Sequence, residues 1–476
     1  MFVGGLDIGT SGCKLVLYDE KGEFSGSFYK EYDVKRENGL HVIDAEEIFA
    51  SVCHILSLAA DKKILSIAVT SFGETFAMLD ENDKPLLSSM LYTDPRGKEE
   101  CAELIEKFGA DNLAYKTGAA PHEMYSIPKI MWIKNNLPAE YKKAKHILLV
   151  QDYIVYMLSG VCQIDYSLAA RTICFDIKNK CWADEILDFC GVDKNLLSVP
   201  VPSGTIAGNI KKEVAEKLGL DEDIKIVSGC HDQIAAMTGA KAFECDEVMD
   251  GTGTVECVPV IMEDIPKDFS LFEKGYSFAE HINGKYACYV LSYAGGATLK
   301  WFRDNLSDKS YPELDKMVKD RPSDLMIMPH FAGAATPYMD SKSKAAIIGL
   351  TFEHGLVDIY KALMEGTAYE IRLNLEIMKN YGIEPKMLIA TGGGARSDVW
   401  LQIKADVLNI PVAALDGEEI GGAGTAYLAG RAVGIYDGMR LTNERKVFYP
   451  NEEKHKFYNS QFEKYKKIYS SVRELC

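Results

Sequence analysis

The sequence lacks the patterns that define several large protein classes. It has 12 cysteines, but no two of them form a C-x-x-C pair, which disfavours zinc ribbons and thioredoxin-type chemistry. No basic block interrupts a net charge of −17, so neither nucleic acid nor an anionic membrane is expected as a partner. No apolar run is long enough to span a bilayer, and no basic leader opens the chain. These absences predict a cytoplasmic protein whose thiols are reduced and buried.

Two common nucleotide-binding motifs are also missing. No G-x-x-x-x-G-K-[ST] occurs anywhere in the sequence, which disfavours a P-loop NTPase. Gly251 and Gly253 lack the third glycine of a dinucleotide fingerprint, and they lie between two apolar segments instead of at a strand-to-helix turn. Protein-kinase-type and Rossmann-type nucleotide binding are therefore disfavoured as well.

What the sequence does contain is a pair of similar turns, one in each half. The first is GLDIGTSGCK at residues 5–14, and the second is DGTGT at residues 250–254. Each is flanked by apolar segments and is predicted to be a strand–turn–strand unit. Such a turn directs backbone N–H groups and hydroxyls toward one point, which suits a phosphate. One copy is most often an ordinary hairpin, but two copies favour a nucleotide held between two similar domains.

The order of predicted elements also repeats. With 476 residues the chain has room for two or three domains. Strands come first in each half, and alternating helices and strands follow, so we predict an α/β fold with domains at 1–243 and 244–476. The main predicted elements are strands Val3–Ile8, Leu15–Asp19 and Phe24–Tyr32, a helix Asp44–Ala60 with Asp44 as N-cap, a long helix Leu356–Tyr381 and a C-terminal helix Glu452–Glu474.

Asp7 closes the first apolar strand, just before the Gly9–Ser11 turn. A carboxylate at this place can hold Mg²⁺, directly or through water, while the turn meets phosphate. Lys14 can add a point charge. The alternative is an aspartate that stabilises its own turn.

Asp232 and Gln233 follow another predicted strand, Ile224–Ser228. The carboxylate can accept the proton of a substrate hydroxyl, and the amide can orient that substrate. The alternative is a helix N-cap, a position that would lower the pKa of Asp232 and leave a weak base. Phosphoryl transfer tolerates a weak base, because positioning and charge neutralisation do most of the work.

Loops after other strands supply further candidates. Glu74 and Asp94 can hydrogen-bond sugar hydroxyls, since open α/β sheets bind ligands at strand ends, although each taken alone is more typical of a solvated loop carboxylate. The glycines of Thr391–Ala395 let a flat group such as a purine approach the backbone. Residues 421–424, GGAG, either line the same cleft or make a close helix–helix contact.

Taken together, these segments resemble the FGGY carbohydrate kinases, of the actin-like sugar kinase superfamily. The resemblance covers nearly the whole chain, and its most specific match is the family's first signature at Met124–Asn136. The second signature, at Ala345–Glu365, matches with a departure at Leu363. The other matching blocks are Gly5–Ser11, Asp165–Thr172, Pro329–Tyr338 and Thr391–Ser397.

The resemblance implies ATP-dependent phosphorylation of a sugar or polyol hydroxyl, with Mg²⁺, in a cleft between two ribonuclease-H-like domains. It implies that Asp232 is the general base and that Mg²⁺ lies near Asp7. The implied phosphate contacts are Thr10, Ser11, Lys14 and Thr252. Those facing ATP are Gly296, Gly392, Gly393, Gly394 and Ala395, and those at the substrate are Glu74, Asp232, Gln233 and Met124.

Departures from the family patterns bear on the substrate. Gly73 stands where glycerol kinases carry Arg, Met124 stands where they carry Tyr, and the Met-His pair of xylulose kinases is replaced by Gly73-Glu74. We therefore expect a pentulose, a related sugar or sugar acid, or a polyol, including glycerol. A hypothesis of another class is an actin-like ATPase scaffold without small-molecule kinase activity. The chain can act as a monomer or as a homodimer, and the sequence does not decide between these two assemblies.

Overall fold

The computed structural model describes residues 1–416, 419–437, 441 and 443–475. Contacts divide the chain into two units. Unit 1 comprises Met1–Lys241, Ser277–Tyr286 and Glu419–Leu441, and unit 2 comprises Ala242–Tyr276, Ala287–Glu418 and Thr442–Cys476. Unit 1 is not one continuous stretch of chain, because it includes two later segments, Ser277–Tyr286 and Glu419–Leu441. The domain boundary expected at residue 243 stays a prediction.

Residues 1–241 alternate short strands and helices, with 3₁₀ turns at Ala170–Thr172 and Lys194–Leu196. The strands are β1 (Phe2–Ile8), β2 (Gly12–Asp19), β3 (Phe24–Glu31), β4 (Val34–Glu37), β5 (Leu40–Ile43), β6 (Ile64–Ser71), β7 (Phe76–Leu79), β8 (Ser89–Met90), β9 (His146–Leu149), β10 (Gln163–Asp165), β11 (Phe175–Asp176), β12 (Cys181–Trp182), β13 (Val199–Val201), β14 (Thr205–Asn209) and β15 (Lys225–His231). The helices are α1 (Ala45–Leu58), α2 (Lys98–Phe108), α3 (Ala110–Thr117), α4 (Ser126–Asn136), α5 (Pro138–Tyr141), α6 (Val150–Ser159), α7 (Tyr166–Ala169), α8 (Asp184–Cys190), α9 (Lys212–Leu218) and α10 (Asp232–Ala240).

The rest of the chain has longer helices, with 3₁₀ turns at Gly393–Arg396 and Arg473–Leu475. The strands are β16 (Glu247–Thr252), β17 (Glu256–Cys257), β18 (Val260–Met262), β19 (Ser277–Glu280), β20 (Tyr286–Tyr289), β21 (Leu291–Ser292), β22 (Met326–Met328), β23 (Ala346–Ile348), β24 (Met387–Thr391), β25 (Val412–Asp416) and β26 (Asn443–Phe448). The helices are α11 (Phe269–Glu273), α12 (Gly296–Leu306), α13 (Tyr311–Met317), α14 (Leu356–Lys379), α15 (Asp398–Leu408), α16 (Ile420–Ala432), α17 (Glu452–Tyr465) and α18 (Ile468–Val472).

Each unit has a six-stranded sheet, and the two sheets are built alike. The order is β3-β2-β1-β6-β15-β14 in unit 1 and β21-β17-β16-β24-β25-β26 in unit 2. In both, the first two pairings are antiparallel, the next two parallel and the last antiparallel. The α/β class and the repeated strand–turn–strand unit predicted from the sequence are confirmed. Residues 9–11 connect β1 to β2, and residues 253–255 connect β16 to β17.

Local sequence signals account for some of the helix boundaries. The Asp44 side chain caps α1 by accepting from the N–H groups of Glu46 and Glu47, as predicted. The long helix α14 begins at Leu356 and ends two residues before the predicted end. The prediction of one C-terminal helix is wrong. At its break the Lys467 N–H bonds to the Lys464 carbonyl, three residues back, and this tighter turn separates α17 from α18.

Helix α16 lies against β1 and α10, all within unit 1, through glycine contacts. A Cβ atom on Gly5 would collide with the Gly422 carbonyl, and one on Gly424 would collide with the Ala235 carbonyl. Only glycine permits backbones to approach this closely. Of the two interpretations of residues 421–424, the structure shows the close helix contact.

The described part of the chain contains no helix that is both long and apolar enough to cross a membrane. Eleven cysteines fall within the described residues, and all are free. The prediction of uniformly buried thiols is wrong, because Cys181 is exposed on the two-residue strand β12. Cytoplasmic location and a homodimer stay predictions.

Candidate active site

Three strands of unit 1 bring their carboxyl ends to one edge of the sheet. Strands β1, β6 and β15 run parallel, with Ile8 beside Ser71 and Ser71 beside His231. Asp7 lies at the end of β1, Glu74 lies three residues beyond β6, and Asp232 directly follows β15. We call Asp7, Glu74 and Asp232 the edge carboxylates. Open α/β sheets bind ligands at this kind of edge.

Asp232 is the first residue of α10, and the N-cap position belongs to His231. The N-cap interpretation of Asp232 is therefore wrong. The Asp232 side chain is 37% exposed, with its Oδ1 atom 3.3 Å from His231 Nε2. Oδ1 is itself covered and lacks a hydrogen-bond partner among the described residues. A buried oxygen without a partner is expensive to retain unless a ligand or function uses it.

The electrostatics of Asp232 also differ from the expectation. Burial raises its pKa to about 6, against the opposing effects of the Gln233 hydrogen bonds and the Arg171 charge. The expected lowering of its pKa is wrong, because burial of the carboxyl outweighs those favourable interactions. A carboxylate with such a pKa is ionised at neutral pH and is a stronger base than an ordinary aspartate.

Asp7 lies among other charged groups. Burial raises its pKa to about 7, Asp232 and Glu419 add to the rise, and Lys14 opposes it. Lys14 Nζ is 2.7 Å from Glu419 Oε1. A Cβ atom on Gly421, in the first turn of α16, would lie 3.4 Å from Asp7 Oδ2. Negative groups crowded in this way favour a bound cation.

The donor set at Asp7 fits one kind of metal. Within the described residues, no group of three or more His, Cys, Asp or Glu side chains is arranged to hold a metal ion. Mg²⁺ does not need such a cage, since it keeps several waters and binds one or two carboxylates together with substrate phosphates. The Mg²⁺ site expected at Asp7 fits this pattern and stays a prediction.

The first turn follows Asp7 directly. Its Gly9 N–H donates to the Gly12 carbonyl at 2.9 Å, while Thr10 is half-buried and Ser11 is exposed. Both hydroxyl residues are thus open to solvent, as phosphate-binding groups must be. Lys14 is on the neighbouring strand β2, where Glu419 already neutralises part of its charge.

Glu74 is held by two hydrogen bonds in unit 1. Arg171 Nε donates to its Oε1 at 2.6 Å, and the Ser126 hydroxyl donates to its carbonyl oxygen at 2.6 Å. Its φ angle is +65°, a value that non-glycine residues adopt rarely. Met124 lies two residues before Ser126 and, like Gln233, is half-buried. A solvated loop carboxylate would show none of this, so Glu74 is held in place.

Asp94, the other loop candidate, is engaged elsewhere. Its carboxylate accepts from Arg96 Nε at 2.7 Å and Nη2 at 2.8 Å, and from the His41 backbone N–H at 2.9 Å. It is 1% exposed. The interpretation as a solvated carboxylate is wrong, and these partners give Asp94 a structural role in its loop.

A hydrogen-bonded chain that the sequence did not reveal fixes the backbone before Asp232. The Ser167 hydroxyl donates to Asp165 Oδ2 at 2.6 Å and accepts from the His231 N–H at 2.8 Å. Ser203 donates to the same carboxylate at 2.9 Å. The Asp165–Thr172 block was the available signal, but nothing in its residue types linked it to His231.

Unit 2 holds its own turn through a buried cation. Lys404 Nζ, on α15, donates to Glu256 Oε1 at 2.6 Å, to Thr252 Oγ1 at 2.7 Å and to Asp250. The Lys404, Asp250 and Glu256 side chains are 0% exposed. Burial raises the pKa of Glu256, Lys404 opposes that rise, and Asp250 adds to it. The Thr252 hydroxyl is thus engaged within the protein, and its phosphate contact stays a prediction.

An open pocket lies beside the same turn in unit 2. Its volume is about 500 Å³. At its edge the Gly296 N–H donates to the Gly253 carbonyl at 2.7 Å, which seats the start of α12 on the turn. The pocket is lined by Gly253, Thr254, Gly296, Ala297, Lys300, Trp301, Asp304, Asn305 and Tyr311. Glycines, two aromatic rings and a lysine suit a nucleotide.

The glycine loop Gly392–Ala395 packs on the same turn. Gly392 has φ +79°, and a Cβ atom there would lie 2.6 Å from the Thr252 carbonyl oxygen. Gly393 faces open space, and a Cβ atom on Gly394 would collide with the Thr252 side chain. Ala395 is buried at 5% exposure. The loop therefore presents its exposed backbone at Gly392 and Gly393.

Comparison with known proteins gives consistent results over the whole chain. The family models "FGGY family of carbohydrate kinases, N-terminal domain" and "C-terminal domain" match residues 2–239 and 251–433. A xylulose kinase of Bacillus subtilis is 27% identical, covering 100% of this chain and 98% of the relative. A glycerol kinase of Thermococcus onnurineus is 30% identical, covering 94% and 93%. The crystal structure of a ligand-bound xylulose kinase from Lactobacillus acidophilus superposes with a TM-score of 0.91 at 25% identity, covering 99% and 98%.

Proposed function

The chain belongs to the FGGY family of carbohydrate kinases, with that family's two-domain actin-like fold, and from this premise we propose what its own residues do. We propose that it transfers the γ-phosphoryl group of ATP to a hydroxyl of a pentulose, a related sugar or a polyol, giving a sugar phosphate and ADP. The observation that carries this proposal is the meeting of Asp7, Glu74 and Asp232 at the carboxyl ends of three parallel strands, with the Oδ1 atom of Asp232 covered. The names of the xylulose and glycerol kinase relatives support the substrate class.

Asp232 acts as the general base in this proposal. Its carboxylate accepts the proton of the reacting hydroxyl as that oxygen bonds to the γ-phosphorus and the bond to the ADP oxygen breaks. Gln233, whose hydrogen bonds stabilise the ionised Asp232, orients the substrate, and Glu74 and Met124 contact its other groups. The Asp165–Ser167 chain holds the backbone of His231, so the base meets the hydroxyl at a fixed place.

Other residues serve the nucleotide. Thr10, Ser11 and Lys14 in unit 1 contact phosphate. In unit 2 the pocket beside Gly296 and the exposed backbone of Gly392 and Gly393 hold ATP, with Gly394, Ala395 and Thr252 supporting them. Mg²⁺, when bound at Asp7, supplies charge neutralisation to the phosphates.

An ADP-release assay with a panel of ketoses and polyols tests the proposed function. We expect release to be slow with ATP and Mg²⁺ alone and to rise by about 100-fold or more with a suitable sugar, because a kinase limits transfer to water. Sugar-independent release at the full rate would instead support the actin-like ATPase scaffold.

The pH dependence follows from the raised pKa of Asp232. A general base must be ionised to act, so kcat/KM for the sugar should fall as pH drops through about 6 and stay level above it, up to neutral pH. The ordinary aspartate value would place this fall near pH 4. Initial rates between pH 5 and 8 at saturating Mg-ATP, with circular dichroism to verify folding, decide between the two. A level profile down to pH 5 would contradict the assignment.

A further inference from the structure

The side chain of Arg171 lies beside the edge carboxylates, in space that is available because Gly73 has no side chain. It lies in the 3₁₀ turn after α7 and is 8% exposed. A Cβ atom on Gly73 would lie 2.9 Å from Arg171 Cγ and 3.3 Å from its Cβ. The aliphatic stem of Arg171 therefore fills the place where a side chain at residue 73 would begin.

The guanidinium of Arg171 is held on two sides. Its Nε donates to Glu74 Oε1 at 2.6 Å, and its Nη2 makes a close ion pair with the same oxygen. Its Cζ lies 5.0 Å from the centre of the buried Tyr125 ring, within cation–π range. Both contacts with the Glu74 carboxylate are made to Oε1, so neither of them involves Glu74 Oε2.

Among the described residues, two cations beside the edge carboxylates are each paired with a carboxylate of the protein. Arg171 pairs with Glu74, and Lys14 pairs with Glu419. Asp7 and Asp232 add further negative charge at the same edge. A substrate bound here meets acceptors and negative charge, which suit hydroxyl donors. A substrate carboxylate would have to displace Glu74 from Arg171, or lie against like charges at a cost.

We propose that Arg171 is a specificity-determining residue: by pairing with Glu74 in the space left by Gly73, it commits its charge to the protein, so the site selects uncharged polyhydroxy substrates over aldonates. This inference rests on the proposed function and narrows its substrate class. It predicts which sugars are phosphorylated, and it also predicts that breaking the pair changes that preference.

The first test uses the unaltered protein. We expect kcat/KM for a five-carbon ketose or alditol to exceed that for the five-carbon aldonate by about tenfold or more, because like-charge contact costs at least that much. A wild-type preference for the aldonate would overturn the inference but leave the proposed function intact. Phosphate release from ATP with no phosphorylated sugar in either class would overturn the proposed function itself.

The second test removes the partner of Arg171. Glu74→Gln removes the carboxylate that neutralises the guanidinium, so the aldonate-to-ketose ratio of kcat/KM should rise by about tenfold or more, even though total activity falls. Glu280→Gln is the matched control. It removes the carboxylate paired with Lys180 at 2.9 Å in the same unit, and it should leave the ratio unchanged. An unchanged ratio in Glu74→Gln would overturn the inference. If that variant folds but does not turn over, aldonate binding by calorimetry gives the same comparison.

A change at residue 73 separates this role from a merely structural one. Gly73→Ala pushes a methyl group against Arg171, and we expect KM for the preferred sugar to rise by about fivefold or more while KM for ATP stays constant, because the misplaced ion pair contacts only the sugar. Gly208→Ala is the control, since a Cβ atom there has its nearest neighbour at 3.9 Å. An unchanged sugar KM in Gly73→Ala would contradict the assignment.

Discussion

Replacing Asp232 with asparagine is expected to lower kcat by about 10²–10⁴-fold, the usual contribution of a general base. The amide has nearly the shape of the carboxylate but cannot take the proton of the substrate hydroxyl. Because the ATP-facing residues lie on other elements, KM for ATP should change by less than about twofold. Steady-state kinetics with the preferred sugar and with ATP varied in turn measure both quantities.

The control for this substitution is Asp152→Asn. Asp152 is a buried carboxyl of unit 1, and burial raises its pKa well above the usual range. The asparagine amide can still accept from the Ser198 hydroxyl, which lies 2.6 Å from Asp152 Oδ2. Its activity should stay near wild type. Retention of more than about one-tenth of kcat in Asp232→Asn would show that Asp232 is not the base, since even a weak base contributes more.

Replacing Lys404 with methionine is expected to lower the free energy of unfolding by about 3–5 kcal/mol, the usual effect of removing one partner of a buried ion pair. The substitution leaves Asp250 and Glu256 without their buried cation. Burial disfavours the charged form of Lys404, but the two carboxylates outweigh this effect and raise the lysine pKa. The ammonium is therefore charged at neutral pH, and the substitution removes a full positive charge. The measurement is the shift in the urea midpoint of unfolding followed by tryptophan fluorescence, to which Trp400 contributes from a ring 4.8 Å from Lys404 Nζ.

Lys386→Met provides the matched control in unit 2. Lys386 Nζ lies 3.0 Å from Asp246 Oδ2, but the two side chains are 81% and 38% exposed. Water screens such a pair, so its removal should change stability by less than about 1 kcal/mol. The double change Lys404→Met with Asp250→Asn should recover part of the loss by removing one uncompensated charge. Equal losses in Lys404→Met and Lys386→Met would contradict the buried-pair account.

Signals that lie within a few residues of each other were visible in the sequence. The Asp44 cap, the two strand–turn–strand units and the start of α14 depend on local residue types and periodicity, so the sequence was sufficient to predict them. Asp7 and Asp232 could be selected because each ends an apolar strand. That they meet at one edge follows from the parallel pairing of β1, β6 and β15, which the sequence alone does not state.

Contacts between distant positions were not visible in the sequence. Arg171 and Glu74 are 97 residues apart, and Lys404 is 154 residues from Asp250. Glu419 and α16 join unit 1 after most of unit 2 has intervened. The rise in the pKa of Asp232 likewise depends on burial by the folded chain. A helix N-terminus predicts the opposite direction, and only the three-dimensional surroundings decide which effect is larger.

Phosphorus NMR of the wild-type reaction, with ATP, Mg²⁺ and the preferred sugar, tests the central claim most directly. The account predicts that each ADP formed is matched by one phosphate monoester of the sugar, with little inorganic phosphate, and that this ester signal disappears in Asp232→Asn. Inorganic phosphate as the main product, at a rate unaffected by sugar or by Asp232→Asn, would contradict it.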